Sequence, residues 1–106
     1  MEILKKALLR DSNIKIAFIF GSIASGEETA ESDVDLMVIG QIGLRKLSGL
    51  LAGVSGQINR EINPYVLSQK EFIKRKVNKE HFITKVLESS KIFIIGNAND
   101  FRAMGK

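Results

Sequence analysis

The chain contains no cysteine in 106 residues. That excludes disulfides and thiolate metal sites and makes a reducing cytoplasm the expected compartment. Pro64 is its only proline and His81 its only histidine. No uninterrupted apolar run approaches the roughly 20 residues that span a bilayer, so no membrane association is expected. The first ten residues carry Glu2, Lys5, Lys6 and Arg10 where a signal peptide needs an apolar stretch. Repeats, low-complexity tracts and linkers are also absent. What is present is an ordinary globular balance, 44% hydrophobic and 26% charged, too apolar for intrinsic disorder at this modest charge. The length suits one domain over residues 1–106 and excludes a multidomain enzyme.

The formal charge of +4 is unevenly spread. Residues 1–59 carry six basic and seven acidic side chains, and residues 60–106 carry ten and five. Lys70, Lys74, Arg75, Lys76, Lys79 and Lys85 concentrate the excess. Such a cluster can steer a polyanion, a nucleotide or a nucleic acid. The plain alternative is a solvated helical face with acidic residues interspersed.

Hydrophobic spacing predicts a mixed α/β order, α-β-β-α-β-α-α-β, with a short mixed sheet flanked by helices on at least one face. Ile3, Leu4, Ala7 and Leu8 make residues 2–10 an amphipathic helix, ended by the turn chemistry of Asp11-Ser12-Asn13. Ile14 to Phe20 reads as a buried strand, Gly26 to Ser32 as a small, acidic loop, and Asp33 to Ile39 as a second strand closed by Gly40. Leu44, Leu47, Leu50, Leu51 and Val54 place a helix over about 43–55, with Ser55-Gly56 as its C-terminal cap. Ile58, Arg60, Ile62 and Val66 suggest a third strand, which Pro64 assigns to an edge or to a point where pairing stops. Ser68 and Glu71 form a capping box that opens a helix near 69–77. Asn78 can cap another, with Phe82, Ile83, Val86 and Leu87 as its apolar stripe. Ile92 to Ile95 is a last short strand ended by Gly96, and residues 97–106 are a helical turn or a frayed tail.

The informative segment is Gly21-Ser22-Ile23-Ala24-Ser25-Gly26, followed by Ser32-Asp33-Val34-Asp35-Leu36. Residues two apart on a strand leave the same face, with Cα atoms ~6.5–7 Å apart, so Asp33 and Asp35 point together. Two carboxylates on one face repel unless solvent or a cation lies between them. Hard oxygen ligands with open coordination suit Mg2+, which takes one or two carboxylates and completes its shell with water and substrate phosphate. A glycine after the preceding strand admits an anion to the backbone. If Ser22 opens a helical turn, its hydroxyl and the first amides face a phosphate. Either half alone is a weak signal: Gly-Ser is also a common turn, and Asp-x-Asp also a solvated strand end. Joined in this order, ten residues apart and with a strand on either side, they are the equipment for phosphoryl or nucleotidyl transfer.

Those residues resemble the signature of the nucleotidyltransferase superfamily that includes DNA polymerase beta, and its minimal nucleotidyltransferases in particular. The likeness covers Gly21-Ser22, Ala24, Gly26 and Ser32-Asp33-Val34-Asp35-Leu36, and the family's pattern of elements fits through about residue 95. The resemblance implies the nucleotidyltransferase fold, Mg2+ on Asp33 and Asp35, and nucleotide phosphates at Gly21 and Ser22, with Gly26 and Ser32 completing the nucleotide-binding segment. It implies transfer of a nucleoside monophosphate, AMP from ATP, to an acceptor. It also implies a partner, either a second subunit or a small helical protein in a toxin-antitoxin pair, because larger relatives carry an acceptor-binding domain that these residues do not supply. Two positions depart from the pattern. Ser25 stands where many members carry Arg, and Asn63 falls on a later strand where the family expects a third carboxylate. Asn63 cannot serve as a base, though its carbonyl oxygen can ligate a metal. Glu61, two residues earlier, could supply the charge and join the catalytic set, or be an exposed strand residue beside Arg60.

Other candidates read blandly. His81 lies in the first turn of a helix without a ligand-spaced companion and is expected at the surface. Gly40, Gly43, Gly49 and Gly53 make no dinucleotide fingerprint. Phe72, Phe82 and Phe93 are expected in the core rather than as base-stacking platforms, because neighbouring apolar residues share their faces. Glu27, Glu28 and Glu31 make the signature loop acidic, which argues against nucleic acid lying across it. A second function class stays open: a fold that has lost catalysis and acts by association, as Asn63 and Ser25 would allow.

Overall fold

A computed structural model describes residues 2–27 and 32–104. The elements run α1 (Glu2–Leu8), β1 (Ile14–Phe20), α2 (Ser22–Ser25), β2 (Val34–Gly40), α3 (Leu44–Leu50), α4 (Val54–Ile58), β3 (Ile62–Leu67), α5 (Gln69–Val77), α6 (His81–Glu88), β4 (Ile92–Ile95) and α7 (Ala98–Ala103). The four strands form one mixed sheet in the order β3-β2-β1-β4. β1 pairs antiparallel with β2 and β4, while β2 and β3 are parallel. β3 lies at an edge, where Pro64 needs no ladder partner on its outer side.

Helices cover both faces. Ala17 and Ile19 of β1 and Leu36 and Val38 of β2 face Leu4 and Leu8 of α1, Leu47 and Leu50 of α3 and Val54 of α4. The alternate residues Phe18, Phe20, Met37 and Ile39 face Phe72 of α5, Ile83 and Val86 of α6 and Phe101 of α7. That alternation explains why β1 and β2 read as nearly continuous apolar runs: both faces of the two central strands are buried. Phe72 is fully buried, and Phe82 and Phe93 are half-buried against the same cluster. Phe101 and Met104 anchor the last helix, which Asn97 opens by accepting the Asp100 amide at 2.9 Å. No helix among the described residues is long and apolar enough to cross a membrane.

Several boundaries differ from the sequence reading. α1 ends at Leu8 rather than Arg10, and β2 runs Val34–Gly40, so Asp33 precedes the strand and Gly40 lies within it. The helix expected over 43–55 is two helices, because Gly53 adopts a left-handed φ of 83°. The Leu periodicity runs through the break because Leu47, Leu50, Leu51 and Val54 all stay on the same core cluster. Ser55 and Gly56 therefore lie inside α4 and cap nothing, and Ile58 ends that helix, so β3 begins only at Ile62. Asn78 closes α5 rather than opening α6; Lys79 turns left-handed at φ 52°, and Glu80 occupies the cap position of α6. The Arg75 guanidinium bonds Glu80 Oε1 at 3.0 Å across this corner, an interaction that residue spacing alone does not disclose. Of the acidic loop, Glu28 and Glu31 lie outside the described residues.

Candidate functional site

The chain crosses one end of the sheet three times: where β1 ends, where β2 begins and where β3 begins. Register brings those crossings into one row, Phe20 opposite Asp35 and Asp35 opposite Asn63. Paired residues share a face, so all three project toward the side covered by α5, α6 and α7. Asp33 immediately precedes β2 and is exposed, while Asp35 is half-buried. The Asn63 amide reaches both, its Nδ2 donating to Asp33 Oδ2 at 3.3 Å and to Asp35 Oδ1 at 3.4 Å. The carboxylate pair and the neutral third position thus form one cluster, assembled from residues 28 positions apart in sequence.

Gly21 follows directly from β1 with φ 77° and ψ −152°, a conformation that side-chain-bearing residues rarely adopt. A Cβ there would collide with Asp35 Oδ2, so a larger residue would strain the backbone and push the carboxylate aside. Ser22 opens the single helical turn of α2, whose Ser25 amide closes onto Gly21 O at 3.1 Å. The first amides of a helical turn have no partner within it. Ser22 and those amides follow Gly21, which lies against Asp35. Gly26 is exposed at the far end of α2, where its left-handed φ of 82° ends the turn.

Past Asp33, a cleft of about 360 Å³ is lined by Ser32, Asp33, Ser55, Asn59, Arg60 and Glu61. Arg60 Nη1 donates to Ser32 O at 2.8 Å, tying the turn before β3 to the turn before β2. Glu61 lies outside β3: its carbonyl accepts the Val34 amide at 2.8 Å, and its exposed side chain makes no hydrogen bond or ion pair among the described residues. The structure brings Glu61 into the cleft with Asp33 but does not join it to the Asp33–Asp35–Asn63 cluster. His81 is exposed at the start of α6, and no group of three histidine, aspartate or glutamate side chains that could hold a metal occurs among the described residues.

The donor set fits Mg2+. Two carboxylates share one face, and Asn63, whose Nδ2 now faces them, would add its carbonyl oxygen with the amide turned over. Sequence reasoning missed the aromatic group beside the row. Tyr65, two residues beyond Asn63 and on the same face, packs against Phe20 and Phe82 with ring centroids 5.6 and 5.1 Å away. Its period-2 relation to Asn63 was the available signal.

The profile of the family described as Polymerase beta, Nucleotidyltransferase matches residues 2–99. The chain belongs to that nucleotidyltransferase family. Among solved structures, a toxin-antitoxin with AMP-PNP superposes with a TM-score of 0.66 at 13% identity, covering 98% of this chain and 79% of that one. The toxin-antitoxin MntA-HepT gives 0.52 at 9% identity, covering 99% and 80%. A tri-AMPylated Shewanella oneidensis HEPN toxin in complex with MNT antitoxin also gives 0.52 at 9% identity, covering 98% and 79%. At these identities the likeness is one of fold. No curated protein sequence matches the chain.

Proposed function

We propose that residues 1–106 form one nucleotidyltransferase domain that moves AMP from ATP to a hydroxyl on a protein acceptor. The carrying observation is the single cluster of Asp33, Asp35 and Asn63 with Gly21 pressed against Asp35. Asp33 and Asp35, with the Asn63 carbonyl, would hold Mg2+, which when bound neutralises triphosphate charge and polarises the α-phosphate. Ser22 and the first amides of α2 hold the outgoing phosphates, and Gly26 and Ser32 bound the segment around them. The acceptor oxygen bonds to the α-phosphorus as the bond to the β-phosphate bridging oxygen breaks, and pyrophosphate leaves. Glu61, free in the cleft beside Asp33, takes the acceptor proton.

A protein acceptor and partner are supported by the fold's likeness to toxin-antitoxin structures, one with AMP-PNP and one containing an AMPylated toxin. That the partner is a small helical protein is implied by the family resemblance. On that reading the chain is the antitoxin half of such a pair. Incubation with α-labelled ATP, Mg2+ and proteins co-purified from the source should label a protein. The label should disappear in the Asp33→Ala, Asp35→Ala double variant. Absence of both transfer and Mg2+-dependent nucleotide binding refutes the proposal. A second reading, a catalytically weakened module acting by association, draws on the neutral Asn63 in the third position. It expects partner binding that survives the double variant, with no transfer by either form.

A further inference from the structure

The Asp33–Asp35–Asn63 cluster has two different neighbours. On one side lies the polar cleft of Ser32, Ser55, Asn59, Arg60 and Glu61, which contains no ring. On the other side lie Tyr65, Phe82 and Phe20. Phe20 occupies the same row as Asp35 and Asn63, and Tyr65 follows one step along β3. Tyr65 and Phe82 lie 5.1 Å apart at 34°, close to an offset stack, while Phe20 meets them edge-on or tilted at 5.6 and 6.1 Å. Phe20 is buried and Phe82 half-buried, so the back of the group belongs to the core. Tyr65 stands on the edge strand and remains 37% exposed, among the few large apolar-bodied side chains that do.

We propose that Tyr65, held rigid by Phe82 and Phe20, is the platform on which the nucleobase of the bound nucleotide stacks. The proposal rests on the assignment of phosphates and Mg2+ to Asp33, Asp35, Gly21 and Ser22. A nucleotide anchored there must carry its base past one side of the cluster. The polar cleft, with the charges of Asp33, Arg60 and Glu61, offers a base no aromatic ring, whereas an aromatic face accepts any base without reading its edges. Ring-on-ring support of Tyr65 lowers the ordering cost of such a stack. The base then occupies the Tyr65 side and leaves the polar cleft to the acceptor, so donor and acceptor approach the α-phosphorus from different sides.

The chain provides its own probe, because Tyr65 is the only tyrosine and there is no tryptophan. Tyrosine emission of the full chain is followed while Mg2+ with ATP, or Mg2+ with inorganic tripolyphosphate, is added. A free tyrosine derivative corrects for absorption by ATP. Saturable quenching by ATP and none by tripolyphosphate is expected. By calorimetry, Tyr65→Leu should weaken ATP binding on the order of tenfold, the scale of one aromatic–base stack, with tripolyphosphate binding unchanged and Tyr65→Phe close to the parent. Saturable ATP binding without quenching overturns the proposal even if Tyr65→Leu proves unfolded, as does an unchanged ATP affinity in a folded Tyr65→Leu. The Asp33→Asn, Asp35→Asn variant separates the two readings. If it abolishes binding of both ligands while Tyr65 is indifferent, only the stacking platform fails. If both ligands bind it as they bind the parent, the phosphate and metal assignment fails and the platform with it.

Discussion

At Asn63 a neutral amide stands between two carboxylates, 3.3 and 3.4 Å from their oxygens. Replacing it by aspartate exchanges two attractive contacts for a third negative charge. Asn63→Asp should therefore lower stability in EDTA by about 1–3 kcal/mol. With Mg2+ present the same charge becomes a ligand, so metal affinity should rise on the order of tenfold and AMP transfer with it. Melting curves with EDTA and with Mg2+, beside a Mg2+ titration of transfer, check the reversal of sign. Gly21→Ala tests the other side of the site. A Cβ at φ 77° costs about 1–3 kcal/mol and displaces Asp35. A misplacement of that kind should reduce transfer on the order of a hundredfold. A folded Gly21→Ala protein with parental transfer rates would contradict the role given to Asp35. Alternation on an expected strand suggested the pairing of Asp33 with Asp35, although β2 begins only at Val34, and the candidacy of Asn63 came from the family resemblance. That Asn63 touches both carboxylates was not legible, because it depends on the parallel register of β2 and β3.

Elements here are set by caps and by a few ties between turns. Ser68 accepts the Glu71 amide at 3.1 Å, as the capping-box spacing predicts, and β3 runs into α5 without a loop. Ser68→Ala should cost about 1 kcal/mol in urea unfolding. Asp11, buried in the turn between α1 and β1, receives Lys46 Nζ of α3 at 2.9 Å and the Asn13 amide at 2.8 Å. Those contacts, the lysine first, hold its carboxyl below the ordinary value of 3.8. A lowered folded pKa contributes stability that is complete above the unfolded value and is lost as pH falls from there through the folded one. Asp11→Asn should thus be less stable than the parent at neutral pH, and the gap should close below about pH 4 in acid-unfolding curves. Where sequence failed at this scale, it failed on backbone conformation. Gly53 and Lys79 break or turn helices by adopting positive φ, which hydrophobic periodicity does not record.

Over the whole molecule the sheet divides two cores that share β1 and β2. Ile19 faces α1, α3 and α4, and Ile83 of α6 packs on the opposite face. Ile19→Val and Ile83→Val should each cost about 0.5–1.5 kcal/mol. Their effects should add to within ~0.5 kcal/mol, since no side chain bridges the sheet. A coupling above 1 kcal/mol in the double variant would mean that the strands transmit packing between faces. Such coupling would give partner binding on one helical layer a route to the nucleotide side. The amino-acid sequence by itself determined the two central strands, the capping box of α5 and the Gly-Ser turn, because each depends on periodicity or on a residue's local conformational range. Only the tertiary structure decided which strands adjoin, and so that Asn63 meets Asp33 and Asp35, that Glu61 stands apart in the cleft and that Tyr65 lies beside the site. Strand order and register are set by non-local pairing and by burial on both faces, which no single segment encodes.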